Sequence, residues 1–443
     1  MPFIGQNMNL LRRPKVACLL PIAVFLLSSL LLCSTQGQTA PFDLTVKQIT
    51  SGKKHHIFGY IGQCRTIPWN ASGRYILGLE LDFIDRMPKP EDAATVFVVD
   101  TQKNNRIIRL DKTHGWNPQQ GTMFYWNPNN AEHQFFFNDR DVDTGQVYTV
   151  LYDVQKRKRV REYRFDDASI GNGGVAFDGS NFMAINYGRL ARLRLVTGYP
   201  EALDFSKEDI APTNDGIFAV DIASGKKRLI VSYRQMEDVL KKHGMHSPHT
   251  GLFINHTLVN RDSNRVYFFA RANWTRMPGE KKKGERVNVP FTVGIDGSNL
   301  TPHTQFIGGH PEWDLGNVMI GSLKEDGKLE QTRYDTNTRK IIGRIGTKRM
   351  FPKPEGDIAL SPDANWFVNG YKPKDDSTEN FFSVYHRPTG AFVRSPGIPK
   401  GVRSENRDVR IDPAPRWNRT NDQILTPGLD KNNRRQMFLI EIK

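Results

Sequence analysis

Cysteine is nearly absent from this chain. Of three in 443 residues, Cys18 and Cys33 fall in one apolar run near the N-terminus, and beyond that run only Cys64 remains. No internal disulfide is expected there, so the fold has to rest on packing alone. A chain of about 400 residues can bury enough surface to manage that. Helical periodicity is scarce as well: only Tyr233–His243, with Met236, Val239 and Leu240 on one side, reads as a short amphipathic helix. There is no G-x-S-x-G elbow, no P-loop, no G-x-G-x-x-G after a strand and no Cys/His zinc spacing, so nothing supports those chemistries. Acidic residues are the minority charge, 47 Asp and Glu against 62 Lys and Arg, for a formal net charge of +15. That balance favours anionic partners; no nucleic-acid partner is expected.

The N-terminus carries its own pattern. Arg12, Arg13 and Lys15 precede an apolar run from Val16 to Cys33, and a polar stretch begins at Ser34. That order is the n-region, h-region and exit of a secretory signal. Thr35-Gln36-Gly37 supplies small residues for cleavage after Gly37, so residues 1–37 are expected as a signal peptide and the mature protein as secreted or periplasmic. Their removal takes three positive charges and no negative ones, which leaves +12. A run of 18 residues also admits an uncleaved signal anchor, the one route by which this chain is expected to meet a membrane. Acylation at Cys33 is disfavoured, because Leu32 stands where a small residue is needed.

What the chain has in quantity is a repeat. Gly309-His310-Pro311-Glu312-Trp313 ends a short strand, a polar turn follows, and Val318-Met319-Ile320 opens a second strand. The same arrangement recurs around Trp69, Trp126, Phe177, Val259, Trp313, Leu360 and Trp417, at spacings of 57, 51, 82, 54, 47 and 57 residues. The long interval contains a loop-like stretch, Tyr187–Pro212, read as an insertion. Multi-strand repeats of this length are what a β-propeller requires, since one blade is a four-stranded sheet. Outer hairpins turn at Ser224-Gly225, Asp296-Gly297-Ser298 and Pro388-Thr389-Gly390. Asp43–Ile49 reads as a strand, and so does Arg435–Ile442, which has no partner after it. Joining the two removes two open sheet edges. The expectation is therefore an all-β chain: residues 41–443 form a single seven-bladed β-propeller, closed by an N-terminal strand completing the last blade.

The repeat can be used as a ruler. Three residues before each anchor stand Thr66, Met123, Gly174, His256, His310, Asp357 and Ala414. Equivalent positions on neighbouring blades point to one place near the axis, so His256, His310 and Asp357 are expected to converge at one channel mouth. Two imidazoles and a carboxylate can bind a divalent metal or supply an acid/base pair; one His capping its own strand is the plainer alternative. Arg65, Gln119, Gln120, Asn255, Glu312, Arg410 and Asp412 fall near the same rim, and Arg271 and Trp274 follow the second strand of the fourth copy. His243, His246 and His249 are read as an exposed loop, because Gly244 and Pro248 break any helix there.

Several copies resemble the TolB-type repeat, in Gly309–Ile320 and in Leu360-Ser361-Pro362-Asp363. Trp116-Asn117-Pro118-Gln119-Gln120-Gly121, Asn255-His256 with Arg261-Asp262, Gly309–Trp313, and Pro415–Asn418 with Arg435-Gln436-Met437 together resemble the oligogalacturonate lyase family of seven-bladed propellers. In that family a channel-mouth site with His and Gln ligands holds Mn²⁺ and a basic side chain abstracts a proton. The resemblance implies an acidic, uronate-containing oligosaccharide as partner and β-elimination as the activity, with a non-catalytic binding propeller as the alternative. It casts His256 as base beside Arg271, His310 and Asp357 as ligands of a divalent metal (Mn or Ca), and Arg65, Gln120, Asn255 and Arg410 as substrate-binding residues. Asp357 and Ala414 stand where relatives tend to carry His.

Overall fold

The apolar stretches sit where neighbouring sheets can cover both of their faces. Val96–Val99 and Phe135–Phe137 have no exposed surface, and every residue of Val147–Asp153 is buried. The strand beside the last of these, Lys158–Tyr163, is half exposed and basic, as suits a sheet edge that must not recruit another chain. The computed structural model describes residues 41–59, 66–245, 251–276, 280–281, 284–305, 307–401 and 409–443. The signal-like segment, Cys64, Arg65, His246 and His249 lie outside the described residues.

The strands pair as antiparallel meanders of a propeller. The first sheet takes His55–Ile57, Tyr75–Leu81, Ala94–Asp100 and Arg106–Thr113; the second takes Tyr125–Trp126, Gln134–Arg140, Val147–Asp153 and Lys158–Tyr163. Gly171–Val175, Asn181–Ile185, Gly216–Asp221 and Lys227–Ser232 form the third, and Phe253–Val259, Arg265–Ala272, Val287–Gly294 and Thr301–Pro302 the fourth. A nine-stranded sheet follows. One meander runs from Gly308–Trp313 to Lys340–Arg344, another from Asp357–Leu360 to Ala391–Arg394, and Ile398–Pro399 pairs with Glu379–His386. A single parallel bridge, His310 opposite Asp357, joins the two meanders. In the last sheet Arg416–Trp417, Gln423–Leu429 and Arg435–Ile442 are completed by Leu44–Gln48 from the other end of the chain, with Leu44 opposite Ile442 and Gln48 opposite Phe438.

Tryptophan anchors tie one sheet to the next. Trp126 Nε1 donates to the Pro68 carbonyl (2.7 Å), Trp313 Nε1 to Leu258 (2.7 Å) and Trp417 Nε1 to Ala359 (3.1 Å). Each acceptor immediately precedes the anchor of the preceding copy, so one residue type supplies both apolar fill and a specific bond across the seam. A buried indole N–H needs such a partner.

Two α-helices are present among the described residues. Tyr233–Lys242 is the one expected, and a Ser232/Gln235 capping box starts it. Tyr187–Leu193 is the other, inside the stretch read from sequence as loop. Asn186 caps it, and its fully buried Arg189 donates to the carbonyls of Leu252, Asp209 and Ile210 while lying over the Tyr233 ring. Seven residues are too few for periodicity to announce a helix; what holds it is this tertiary carbonyl cage. Among the described residues no helix is long and apolar enough to cross a membrane.

Candidate functional site

The inner strands are irregular where the ruler falls. The ladder shifts register between Asn172 and Gly174, between Asn255 and Leu258 and between Gly308 and Glu312. Met123, His256 and Ala414 all adopt left-handed backbone (φ 57°, 63° and 41°). A residue held in a bulge leaves the ladder and its side chain is re-aimed, which is how a strand with period two can present a chosen group at its end. Three of the seven positions three residues before the anchors thus share backbone that non-glycine residues rarely adopt, whereas His310 and Asp357 keep strand backbone.

His310 and Asp357 meet most closely. Their backbones share the parallel bridge, and His310 Nδ1 contacts Asp357 Oδ1. The other carboxylate oxygen, Oδ2, accepts the Ala414 N–H at 2.8 Å. Ala414, which has no functional side chain, thus contributes its backbone. Burial pushes the Asp357 carboxyl up, but His310, the Ala414 N–H and Arg416 outweigh it and hold it below the ordinary value. His256 is the next neighbour, its ring edge-on to His310 with centroids 6.3 Å apart. Burial, helped by Arg271, His310 and Arg416, drives its pKa well below the usual imidazole value, so His256 is neutral.

His310 and Asp357 open onto a cavity of about 640 Å³. Seven of its lining residues are cations (Arg194, Lys353, Lys372, Lys374, Lys400, Arg410 and Arg435) against five carboxylates (Asp85, Glu355, Asp357, Asp375 and Asp412). Arg410 Nε donates to Asp412 Oδ1 at 2.7 Å, and the Gln119 amide, turned so that its oxygen faces the guanidinium, accepts from Arg410 Nη1 and Nη2 at 2.7 and 2.9 Å. Burial raises the Asp412 carboxyl, opposed by Arg410 and reinforced by Asp357. Arg435 is buried, donates to the Pro118 and Val409 carbonyls, and is brought down to about 10 by burial despite Asp412.

The sequence-based candidates do not all share this place. Gln120, Asn255 and His256 line a separate, much smaller cavity with Met123 and Tyr187. Arg271 lies over the rings of Phe269 (4.4 Å) and Trp274 (5.1 Å), and its Nε donates to Asn288 Oδ1 at 2.8 Å. It stands in the field of His256 rather than in the lining of the large cavity. Arg410 does line it. The two expected metal ligands, His310 and Asp357, do meet, but among the described residues no group of three His, Cys, Asp or Glu side chains could hold a metal ion. Both Asp357 oxygens already have protein partners and His256 is set apart in its own bulge, so the donors present are too few and too engaged to fit a metal centre.

Sequence reasoning missed the lysines. Lys372 and Lys374 follow the strand Trp366–Tyr371, as Trp274 follows Arg265–Ala272; Arg271, expected after that strand, is its penultimate residue. The same rule applied to this copy finds them. Arg194 carried no signal, because it reaches the cavity only through the helical insertion.

No protein-family model and no curated protein sequence matches the chain. Solved structures do. An oligogalacturonate lyase in complex with manganese aligns over 91% of this chain and 96% of its own, at 14% identity and a TM-score of 0.59. The oligogalacturonate lyase of Vibrio parahaemolyticus aligns over 90% and 96%, at 14% identity and a TM-score of 0.56. TolB from Acinetobacter baumannii aligns over 84% and 82%, at 12% identity and a TM-score of 0.38. The chain has the fold of the oligogalacturonate lyase propellers.

Proposed function

We propose that this chain is an exported seven-bladed propeller whose channel mouth binds an acidic, uronate-containing oligosaccharide. The count of seven treats the two meanders of the nine-stranded sheet as separate blades, with Leu44–Gln48 closing the ring. Export rests on the order of residues 12–37. The observation that carries the binding reading is the large cavity itself, lined by seven Lys and Arg side chains, against five carboxylates, together with the His310–Asp357 pair. Its volume suits a few sugar units, and clustered cations in a low-dielectric concavity attract polyanions. Titration calorimetry with trigalacturonate beside a neutral trisaccharide tests it. The acidic sugar alone is expected to bind; equal binding of both, or of neither, overturns the reading.

A second reading is β-elimination with the neutral His256 as base; this residue lines the small cavity, and its ring stands 6.3 Å from that of His310, which lines the large one. A neutral imidazole can take the C5 proton of a uronate. An Arg or Lys paired with the sugar carboxylate stabilises the charge as the C4–O bond breaks and a C4=C5 bond forms. Mn²⁺ is named with the lyase neighbour, but here His310 and Asp357 alone would have to hold it, and no step is assigned to a metal. Appearance of ultraviolet absorbance from the unsaturated product, lost in His256→Gln with trigalacturonate binding retained, supports this reading; binding with no absorbance change leaves the protein a binding module.

A further inference from the structure

We infer that this mouth is built to work without a divalent cation, with the His310–Asp357 pair and the Ala414 N–H engaging one another in the place a metal would have to take. Three observations converge. First, Asp357 is buried and each of its oxygens already has a partner, His310 for one and the Ala414 N–H for the other, so a metal would have to compete for oxygens that these groups occupy. The parallel bridge between His310 and Asp357 fixes that pairing in the backbone as well as in the side chains.

Second, the imidazoles are spaced wrongly. Two rings sharing a tetrahedral ion, each with its nitrogen at about 2.1 Å, place their centroids about 5.3 Å apart, and at a right angle about 4.6 Å. The His256 and His310 centroids stand 6.3 Å apart, which would demand a nearly linear N–metal–N arrangement. Closing that gap means displacing the His256 ring from its place in the left-handed bulge between the buried Asn255 and Thr257.

Third, cations outnumber carboxylates around the site, seven to five in the cavity lining. Arg271 and Arg416 act on His256, Arg416 on Asp357, and Arg410 on Asp412 and Arg435. A dication would enter against these charges, while a carboxylate would be drawn to them. The anion is therefore held by ammonium and guanidinium groups directly, so its binding is sensitive to salt and indifferent to chelators. That consequence rests on the saccharide reading above; the statement about metal does not.

The experiment has two arms, both on the purified protein. Equilibrium dialysis against Mn²⁺ alone, and separately Ca²⁺, followed by elemental analysis, is expected to find no stoichiometric metal in the wild type or in Asp357→Asn. One ion per chain, lost in Asp357→Asn and in His310→Ala, overturns the inference. Trigalacturonate titration with and without EDTA is expected to give dissociation constants within about twofold of each other. A chelator-dependent loss of tenfold or more also overturns it. Trigalacturonate that binds in neither buffer refutes the saccharide reading, and the dialysis arm then decides the metal question by itself.

Discussion

Replacing Trp313 by Phe tests whether the indole bond across a seam contributes to stability. Trp313 is fully buried in a cluster with Leu258, Tyr267, Phe269, Ile307, Met319 and Tyr334, and its Nε1 donates to the Leu258 carbonyl at 2.7 Å. Phenylalanine keeps an aromatic ring edge-on to Tyr267 but removes the donor and one ring of volume. Leaving that carbonyl buried without its donor costs about 1–3 kcal/mol, and the residual void adds about 1 kcal/mol. The expected loss is therefore about 2–4 kcal/mol. Trp366, half-buried and packed edge-on against Phe42, serves as the control, with an expected loss below about 1 kcal/mol on Phe substitution. Urea unfolding followed by fluorescence compares their midpoints. If Trp313→Phe shifts the midpoint no more than Trp366→Phe does, the seam bond contributes nothing and the stitching argument fails. Trp126→Phe and Trp417→Phe, which break the equivalent bonds, are expected to behave like Trp313→Phe.

The closing strand gives a second outcome: Leu44→Ser, which exposes the apolar cluster holding Ile440, Phe438 and Trp417, is expected to cost about 2 kcal/mol and to hasten proteolysis near residue 44; unchanged proteolysis counts against closure. His303 sets an acid limit. It is buried, bonded to Thr292 and Tyr334, and burial with Arg265 and Arg339 lowers its pKa to about 4. A histidine depressed in the folded state stabilises it fully above the ordinary value of 6.5, and that stability is lost as pH falls from there to about 4, for a total of about 3 kcal/mol. His303→Gln is expected to flatten the acid limb of the stability profile over that window, and an unchanged limb sinks the assignment. Lys372→Ala combined with Lys400→Ala is expected to weaken trigalacturonate about tenfold and to reduce the salt dependence of binding, with the urea midpoint unmoved; undiminished binding rejects the lysine arc as the contact surface.

How much was legible follows from the range of each interaction. Anchors at regular spacing, apolar runs, Gly-bearing turns and an unpaired strand at each end are local marks, so the all-β propeller and the pairing of Leu44–Gln48 with Arg435–Ile442 could be read directly from the chain. The same ruler brought out His310 and Asp357, because both lie at one offset in consecutive copies and one parallel bridge holds them together. It could not say that Asp357 would spend both oxygens inside the protein, that bulges would set His256, Gln120 and Asn255 around a second small cavity, or that Arg194 would arrive through a seven-residue helix. Those outcomes depend on which residues of distant copies face one another once the sheets pack. A strand's period decides which face a side chain leaves by. Only its neighbours, burial and the local departure from that period decide whether the group it presents is open to a ligand or already satisfied.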